Sequence, residues 1–384
     1  MSMAWRAFRQ ELFAVFRDKA VIVVMLGGSL FYAVFYPLPY QPQVATELPI
    51  GVLDHDRSPL SRQLIRRIDA SESVDVVITV PDALRLERMV RDGRLAGYVE
   101  IPARLNAQVL RGEPVRVAVF ANAAYMVMYS ETARAVSEVV LGFNAEIVEE
   151  RLLMAGRSPV LAENLPEAIA LDRHELFNPD GGYANYIVPA VLVLILQQTF
   201  LIGICMMQVG RGRLPAGAAG LVTLAGRSLA YLVLQLAILL FYLLLVYRVF
   251  GFPSLGSVGL ALLTLTPAFL SMILLGFALG TLFRTRETAL QVMMLVSIPA
   301  LFLAGFAWPA EVIPWPLDVI GWLIPSTAAI DAFIKTHHMG ASLHEVRASW
   351  LVSWALAAGY GLVAWWLGRL GGPAAVATPQ AEAG

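Results

Sequence analysis

The stretch Gly305–Thr327, GFAWPAEVIPWPLDVIGWLIPST, decides how the chain is read. It is mostly apolar and follows a long apolar run, yet it carries four prolines, Pro309, Pro314, Pro316 and Pro325. Proline locks φ and removes a backbone donor, so this is not the middle of a plain helix. Trp308, Trp315 and Trp322 recur every seven residues, but Pro309, Pro314 and Pro316 break any continuous coiled-coil face. Irregular backbone at membrane depth is tolerated only where it is packed in protein or lines a cavity. The expected arrangement is a helix ending at Trp308-Pro309, short helical pieces that dip back, and an exit at Pro325. The tryptophans would lie at a membrane–water interface, where this residue is enriched.

Composition supports a membrane setting. The 384 residues are 58% hydrophobic and only 15% charged, against about half and a quarter in soluble domains. Working outward from the opening stretch, apolar runs cover Ala20–Pro37, Tyr186–Gln208, Ser228–Phe250, Val258–Phe283, Ala289–Phe306 and Trp350–Leu367. Each is long enough to cross a hydrocarbon layer of about 30 Å. Before the first run, WRAFRQELFAVFR (Trp5–Arg17) places Trp5, Phe8, Leu12, Phe13 and Phe16 on one helical face. Such a helix is expected to lie in the interface as an elbow. The plainer alternative is a charged helical lead into the first span. No cleavage site of a signal peptide follows.

Lys/Arg bias in short flanks orients the spans. Arg6, Arg9, Arg17 and Lys19 precede the first; Arg211, Arg213 and Arg227 lie between the second and third. Arg284 and Arg286 lie between the fourth and fifth, and Arg369 follows the sixth. These regions share one side, expected to be cytoplasmic, while Arg248 and Lys335 are expected in short loops opposite. Both termini are then cytoplasmic. The domain reading is an elbow over 1–19, a first span over 20–37 and an extracytoplasmic domain over 38–183. Five spans follow over 184–370, with a re-entrant outer segment near 307–330, and then a disordered tail over 371–384.

The block outside the membrane alternates strands and helices. LPIGVLDHD (48–56) is a strand ending in a polar turn, and SPLSRQLIRRI opens a helix with Ser58 as cap and Pro59 at the first turn. VDVVITV, LAGYVEIP and PVRVAVFAN read as further strands, PDALRLERMVRDG as a helix, Tyr125–Gly156 as a long helix, and AIALDRHELF as a returning strand. That alternation predicts an α/β layer domain. The fold class expected is a polytopic α-helical membrane protein: six transmembrane helices, an N-terminal elbow and an α/β extracytoplasmic domain.

Little of the sequence suggests reaction chemistry. The chain has one cysteine, Cys205, so no intramolecular disulfide forms. Lys19 and Lys335 are the only lysines and neither sits in a Gly-rich loop, which excludes a Walker A site. Ionisable groups are nearly absent from the spans, so proton-driven transport lacks its usual residues. Gln197, Gln198, Thr199, Gln235, Thr264, Thr266, Ser271, Gln291 and Ser297 are the polar groups expected inside. Gln197, Gln198, Thr199, Ser271 and Gln291 are the candidates for lining a substrate path, with bonding between neighbouring helices as the alternative. The Gly-x-x-x-Gly of GFALG (276–280) indicates close helix packing, in this subunit or with another. His337, His338 and His344 are read as solvated rather than metal-binding. Asp54, His55, Asp56 and Ser58 are read as a strand-end turn and helix cap rather than a hydrolase site. No metal site and no nucleic-acid partner are expected.

In these features the chain resembles the type-2 ABC transporter permeases, in the subset with a large domain after the first span. The resemblance rests on the elbow, on IGVLDHDRSPLSRQLIRRI and GRLAGYVEIPARLNAQVLRGEPVRV, and on LFLAGFAWPAEVIPWPLDVIGWLIPSTAAIDAF. In the last block the family's Gly, Trp-Pro, Pro and Pro-Ser/Thr fall on Gly305, Trp308-Pro309, Pro314 and Pro325-Ser326-Thr327. The family's loop after the second span often carries an acid; here it reads Gly210-Arg211-Gly212-Arg213-Leu214.

The resemblance implies a non-enzymatic permease subunit of an exporter in a bacterial inner membrane, paired with a second permease, the same or paralogous. A separate cytoplasmic ATPase subunit would bind ATP and Mg. The cargo would be amphipathic or hydrophobic, drug-like or lipid-like. A periplasmic adaptor and an outer-membrane channel are further partners that it suggests. Arg9, Arg211, Arg213, Arg284 and Arg286 become candidates for contacting the ATPase. Gly305, Trp308, Pro309, Pro314, Pro325 and Ser326 become candidates for an outer gate. The competing readings are a membrane-anchored sensor or interaction protein, and a membrane-embedded enzyme, which would need acid–base or nucleophilic residues that do not stand out.

Overall fold

The computed structural model describes residues 2–40, 45–154, 177–178, 182–306 and 313–370. The chain divides into two compact units, Pro42–Glu175 and a second made of Met1–Gln41 with Leu176–Gly384.

The first unit is built on a four-stranded sheet in the order β2-β1-β3-β4. Its strands are β1 (Leu48–Asp54), β2 (Val74–Thr79), β3 (Gly97–Ile101) and β4 (Ala118–Ala121). β1 runs parallel to both β2 and β3, and β4 closes the edge antiparallel to β3. A central parallel strand is covered on both faces, so LPIGVLD reads as a nearly unbroken apolar run. The helices are α3 (Pro59–Asp69), α4 (Ala83–Arg91), α5 (Leu105–Arg111) and α6 (Met126–Met154). Leu64, Ile68, Leu105 and Val136 cover one face of the sheet, and Leu86 of α4 covers the other. Gly51 lets Leu86 pack close to the strand; a Cβ there would stand 2.4 Å from Leu86 Cδ2, which would have to move. The expected returning strand AIALDRHELF and the tail after 370 lie outside the described residues.

The second unit is helical. Among the described residues, a leading helix, α1 (Met3–Arg17), precedes six helices long and apolar enough to cross a membrane. These are α2 (Lys19–Tyr40), α7 (Tyr183–Gln208), α8 (Ala218–Phe250), α9 (Val258–Gly280), α10 (Arg286–Leu303) and α13 (Arg347–Leu370). The protein is therefore a multi-pass membrane protein. Between the last two lie α11 (Trp315–Leu323) and α12 (Pro325–His338), which meet at 84°. Gly305, at φ +77°, follows the end of α10.

α7 is the central helix, with 78% of its most apolar stretch buried, whereas α10 has 17%. The Gly-x-x-x-Gly of α9 packs within this chain. A Cβ on Gly276 would meet Ile204, and one on Gly280 would meet Gln208 Cβ at 2.7 Å and Cys205 Cα at 3.0 Å, all on α7. α2 and α8 each contain a π-helical turn (Ile22–Gly27 and Tyr242–Val246). Such turns leave backbone groups off the regular ladder, and here the two helices meet through a bond from Tyr242 Oη to Ser29 O at 2.8 Å.

Three charge placements differ from the sequence reading. Arg227 is not in a loop, because α8 begins at Ala218 and runs through it. Its guanidinium lies 3.7 Å from the carboxylate of Glu11 on α1. Arg248 and Lys335 likewise sit in the last turns of α8 and α12 rather than in loops.

Candidate functional site

α1 starts on Ser2, whose hydroxyl accepts the Trp5 N–H. Spacing of four residues puts Ala7, Glu11 and Val15 on one buried stripe. That stripe lies against α8 so closely that a Cβ on Gly226 would stand 2.3 Å from Ala4 O. The aromatic stripe points the other way: Trp5, Phe13 and Phe16 are each about half exposed. The inward stripe thus carries an acid while the aromatic stripe stays exposed.

Glu11 is 3% exposed. Its Oε2 accepts from Arg211 Nη1 at 2.6 Å and lies 3.7 Å from Arg227 Nε; its Oε1 accepts from Tyr231 Oη at 2.5 Å. Burial alone would make the Arg211 guanidinium easier to deprotonate; the charge and hydrogen bond of Glu11 outweigh that and raise its pKa. The acid that the Gly210–Leu214 loop lacks is therefore brought to it by α1. Sequence reading missed Glu11 because an isolated acid among aromatics looks like a solvated position. The signal that could have found it is its i+4 spacing from the small residue Ala7 and to Val15.

Two more contacts gather elements at this end. Arg286 at the start of α10 donates to Asp18 Oδ2 at 2.5 Å, and Leu214 N donates to Gly368 O in the last turn of α13 at 2.8 Å. So α1, the α7–α8 connection, the start of α10 and the end of α13 meet. Arg9, Arg213 and Arg284 are exposed. Arg6, Arg9 and Arg17 border a groove of about 510 Å³ on the outer flank of α1, with no carboxylate partner among the described residues.

The residues expected along a path are not brought together. Gln197 is 1% exposed, and its Oε1 accepts the Ser326 N–H at 2.7 Å. It therefore caps α12, which has no side-chain cap of its own. Gln198 Nε2 donates to Met293 O at 3.4 Å, and Thr199 Oγ1 shares a 2.7 Å bond with Ser29 Oγ. Ser271 bonds back to Ala268 O in its own helix. Gln291 alone of the five is exposed, on α10.

Among the gate candidates, Trp308 and Pro309 lie outside the described residues. Pro314 precedes α11, and Pro325 starts α12 with Ser326 buried behind it. The break between the two helices is held by Thr327 Oγ1 donating to Gly321 O at 2.7 Å and Tyr360 Oη donating to Leu323 O at 2.5 Å.

The histidines correct the sequence reading. His344 is exposed, but His337 and His338 are 2% and 7% exposed. A π-helical turn over Ile334–His338 rotates them inward, where His337 stacks on Phe333 and meets the edge of Tyr247. In the α/β unit the turn reading holds. Asp54 Oδ1 accepts from the Asp56 and Arg57 amides at 2.9 and 3.0 Å, Ser61 Oγ donates to Oδ2 at 2.8 Å, and Ser58 caps α3. Among the described residues, no group of three or more His, Cys, Asp or Glu is placed to hold a metal ion.

The family model for the ABC-2 family transporter protein matches residues 19–366. The chain is 20% identical over 363 residues to the probable multidrug ABC transporter permease YbhR of Escherichia coli K12, covering 92% of this chain and 93% of that protein. It is also 20% identical over 341 residues to the probable multidrug ABC transporter permease YbhS of the same organism, covering 84% and 86%. Six apolar spans and a match across nearly the whole chain make this the membrane subunit of an ABC transporter; the chain belongs to the ABC-2 family of transporter proteins.

Proposed function

We propose that this permease exports an amphipathic or hydrophobic cargo, driven by a separate ATPase subunit that binds ATP and Mg and docks at the arginine-bearing end. The observation that carries the reading is the meeting of α1, the α7–α8 connection, the start of α10 and the end of α13. Those four regions hold most of the arginines that flank the spans. By the positive-inside bias that end is cytoplasmic, which places both termini there and the α/β unit outside, in a bacterial inner membrane. The elbow α1 then lies in the interface with its aromatic stripe toward lipid. Two permease subunits, identical or paralogous, would complete the pathway. The drug-like cargo named for the relatives suits spans whose apolar stretches hold few charged residues among those described.

Arg9, Arg213 and Arg284 are exposed cations available to the ATPase. Arg211 and Arg286 instead hold α1 and its junction to the rest of the unit, and so carry docking force inward. Gln291 is the path candidate with a free outward side chain. The α11–α12 corner is the outer gate. The test is reconstitution with a candidate ABC ATPase subunit. Vanadate-sensitive ATP hydrolysis and export should both require the permease, and Arg9→Glu with Arg213→Glu should uncouple them without loss of expression. Hydrolysis indifferent to the permease, or full transport by the reversed-charge variant, defeats the reading.

A further inference from the structure

We infer that the α/β unit holds an oxyanion site of its own, a groove that recognises a phosphate-bearing small molecule through Arg57, Arg62 and Arg66. The groove has a volume of about 490 Å³ and is bordered by these arginines, Asp54, Thr79 and Pro81. That volume suits a small ligand rather than a macromolecule. Its position follows from the topology. β1 and β2 are parallel, so their carboxyl ends, at Asp54 and Thr79, open on the same edge.

The charge pattern points to an anion. Three guanidiniums around one groove repel one another unless something negative lies among them. Asp54 on the groove wall supplies one negative charge against three guanidiniums, and its oxygens are already engaged by the Asp56 and Arg57 amides and by Ser61 Oγ. Among the described residues none of the three arginines has a carboxylate partner, while Arg67 on the same helix is paired with Glu146 at 2.5 and 2.6 Å. Arg62 is steadied by a 2.8 Å bond from Nη1 to Arg57 O, which also fixes the turn that carries Arg57. Planar guanidiniums bind phosphate and carboxylate oxygens in bidentate fashion, and a groove with several of them favours the more highly charged phosphate.

A phosphate compound free in solution and the headgroup of a phospholipid share this chemistry. The test uses the full chain in nanodiscs of zwitterionic lipid, with radiolabelled pyrophosphate as probe. Saturable binding near one site per chain is expected, weakened about tenfold by Arg57→Gln and again by Arg66→Gln. Arg85→Gln with Arg88→Gln, on α4 and away from the groove, should leave it unchanged. Thermal unfolding of each variant is followed in parallel; these side chains are exposed, so it should not move. Discs containing phosphatidate then separate the sources: competition with pyrophosphate assigns the site to a headgroup, and its absence to a soluble phosphate. Binding that does not saturate, or that is equal in wild type and Arg57→Gln/Arg66→Gln, overturns the inference.

Discussion

Replacing Glu11 with Gln should release α1 from the helical unit. The substitution keeps the shape but removes the charge facing Arg211 at 2.6 Å and Arg227 at 3.7 Å, and it weakens the acceptor for Tyr231. Removing one partner of a buried ion pair costs about 3–5 kcal/mol. Arg211 and Arg227 keep 20% and 25% of their side-chain surface in contact with the surroundings. They can therefore be partly rehydrated, and the lower figure, about 3 kcal/mol, is the expectation. Because a tenfold change corresponds to about 1.4 kcal/mol, the open population of α1 should rise by about two orders of magnitude. Opening of this kind is read by native-state hydrogen exchange over residues 4–16, or by tryptic cleavage after Arg6 and Arg9. Arg211→Gln should give a similar change, and Glu11→Gln with Arg211→Gln should cost less than the sum, since the Glu11–Arg211 pair is then removed as a whole. Exchange in Glu11→Gln within threefold of wild type would refute the reasoning. It would mean that the Ala4–Gly226 packing holds α1 without the charge.

Two other substitutions probe the far end. Gln197→Leu leaves the Ser326 amide without its acceptor, at a cost of about 1–3 kcal/mol, and should raise exchange at the start of α12 while Gln198→Leu, whose bond to Met293 is long, changes little. His337→Phe should be neutral or mildly stabilising in thermal unfolding, because both ring nitrogens lack partners among the described residues and the ring already stacks on Phe333; a large loss of stability would show that those nitrogens are bonded.

Hydrophobic pattern and proline placement made most of the helical architecture legible. The spans could be read because twenty-odd apolar residues in a row have few other uses, and the corner at Ile324 because Pro325 cannot continue a helix from the residue before it. The strands β1 to β4 were legible from β-branched runs bounded by turn residues, and the Asp54–Ser61 turn from its cap chemistry. Candidate residues were less legible. Gln197 and Thr199 looked like path-lining groups because sequence shows that a polar residue is in a span, not which neighbour satisfies it. Arg227 looked like a loop cation because its counter-charge lies more than two hundred residues away, at Glu11.

By itself, then, the sequence determined that this is a six-span protein with a broken segment before the last span and an α/β unit after the first. Those are local properties: periodicity, chain stiffness and the cost of exposing backbone to lipid. Only the tertiary structure decided which partners the isolated polar groups take. It turned the acidic stripe of α1 inward and its aromatic stripe outward, locked Arg211 onto Glu11, made Gln197 the cap of α12, and buried His337 and His338. It also showed that the Gly276–Gly280 pair packs on α7 of the same chain. Such pairings join residues distant in sequence, and in a low-dielectric interior each is fixed by whichever complementary group the packing brings within about 3 Å.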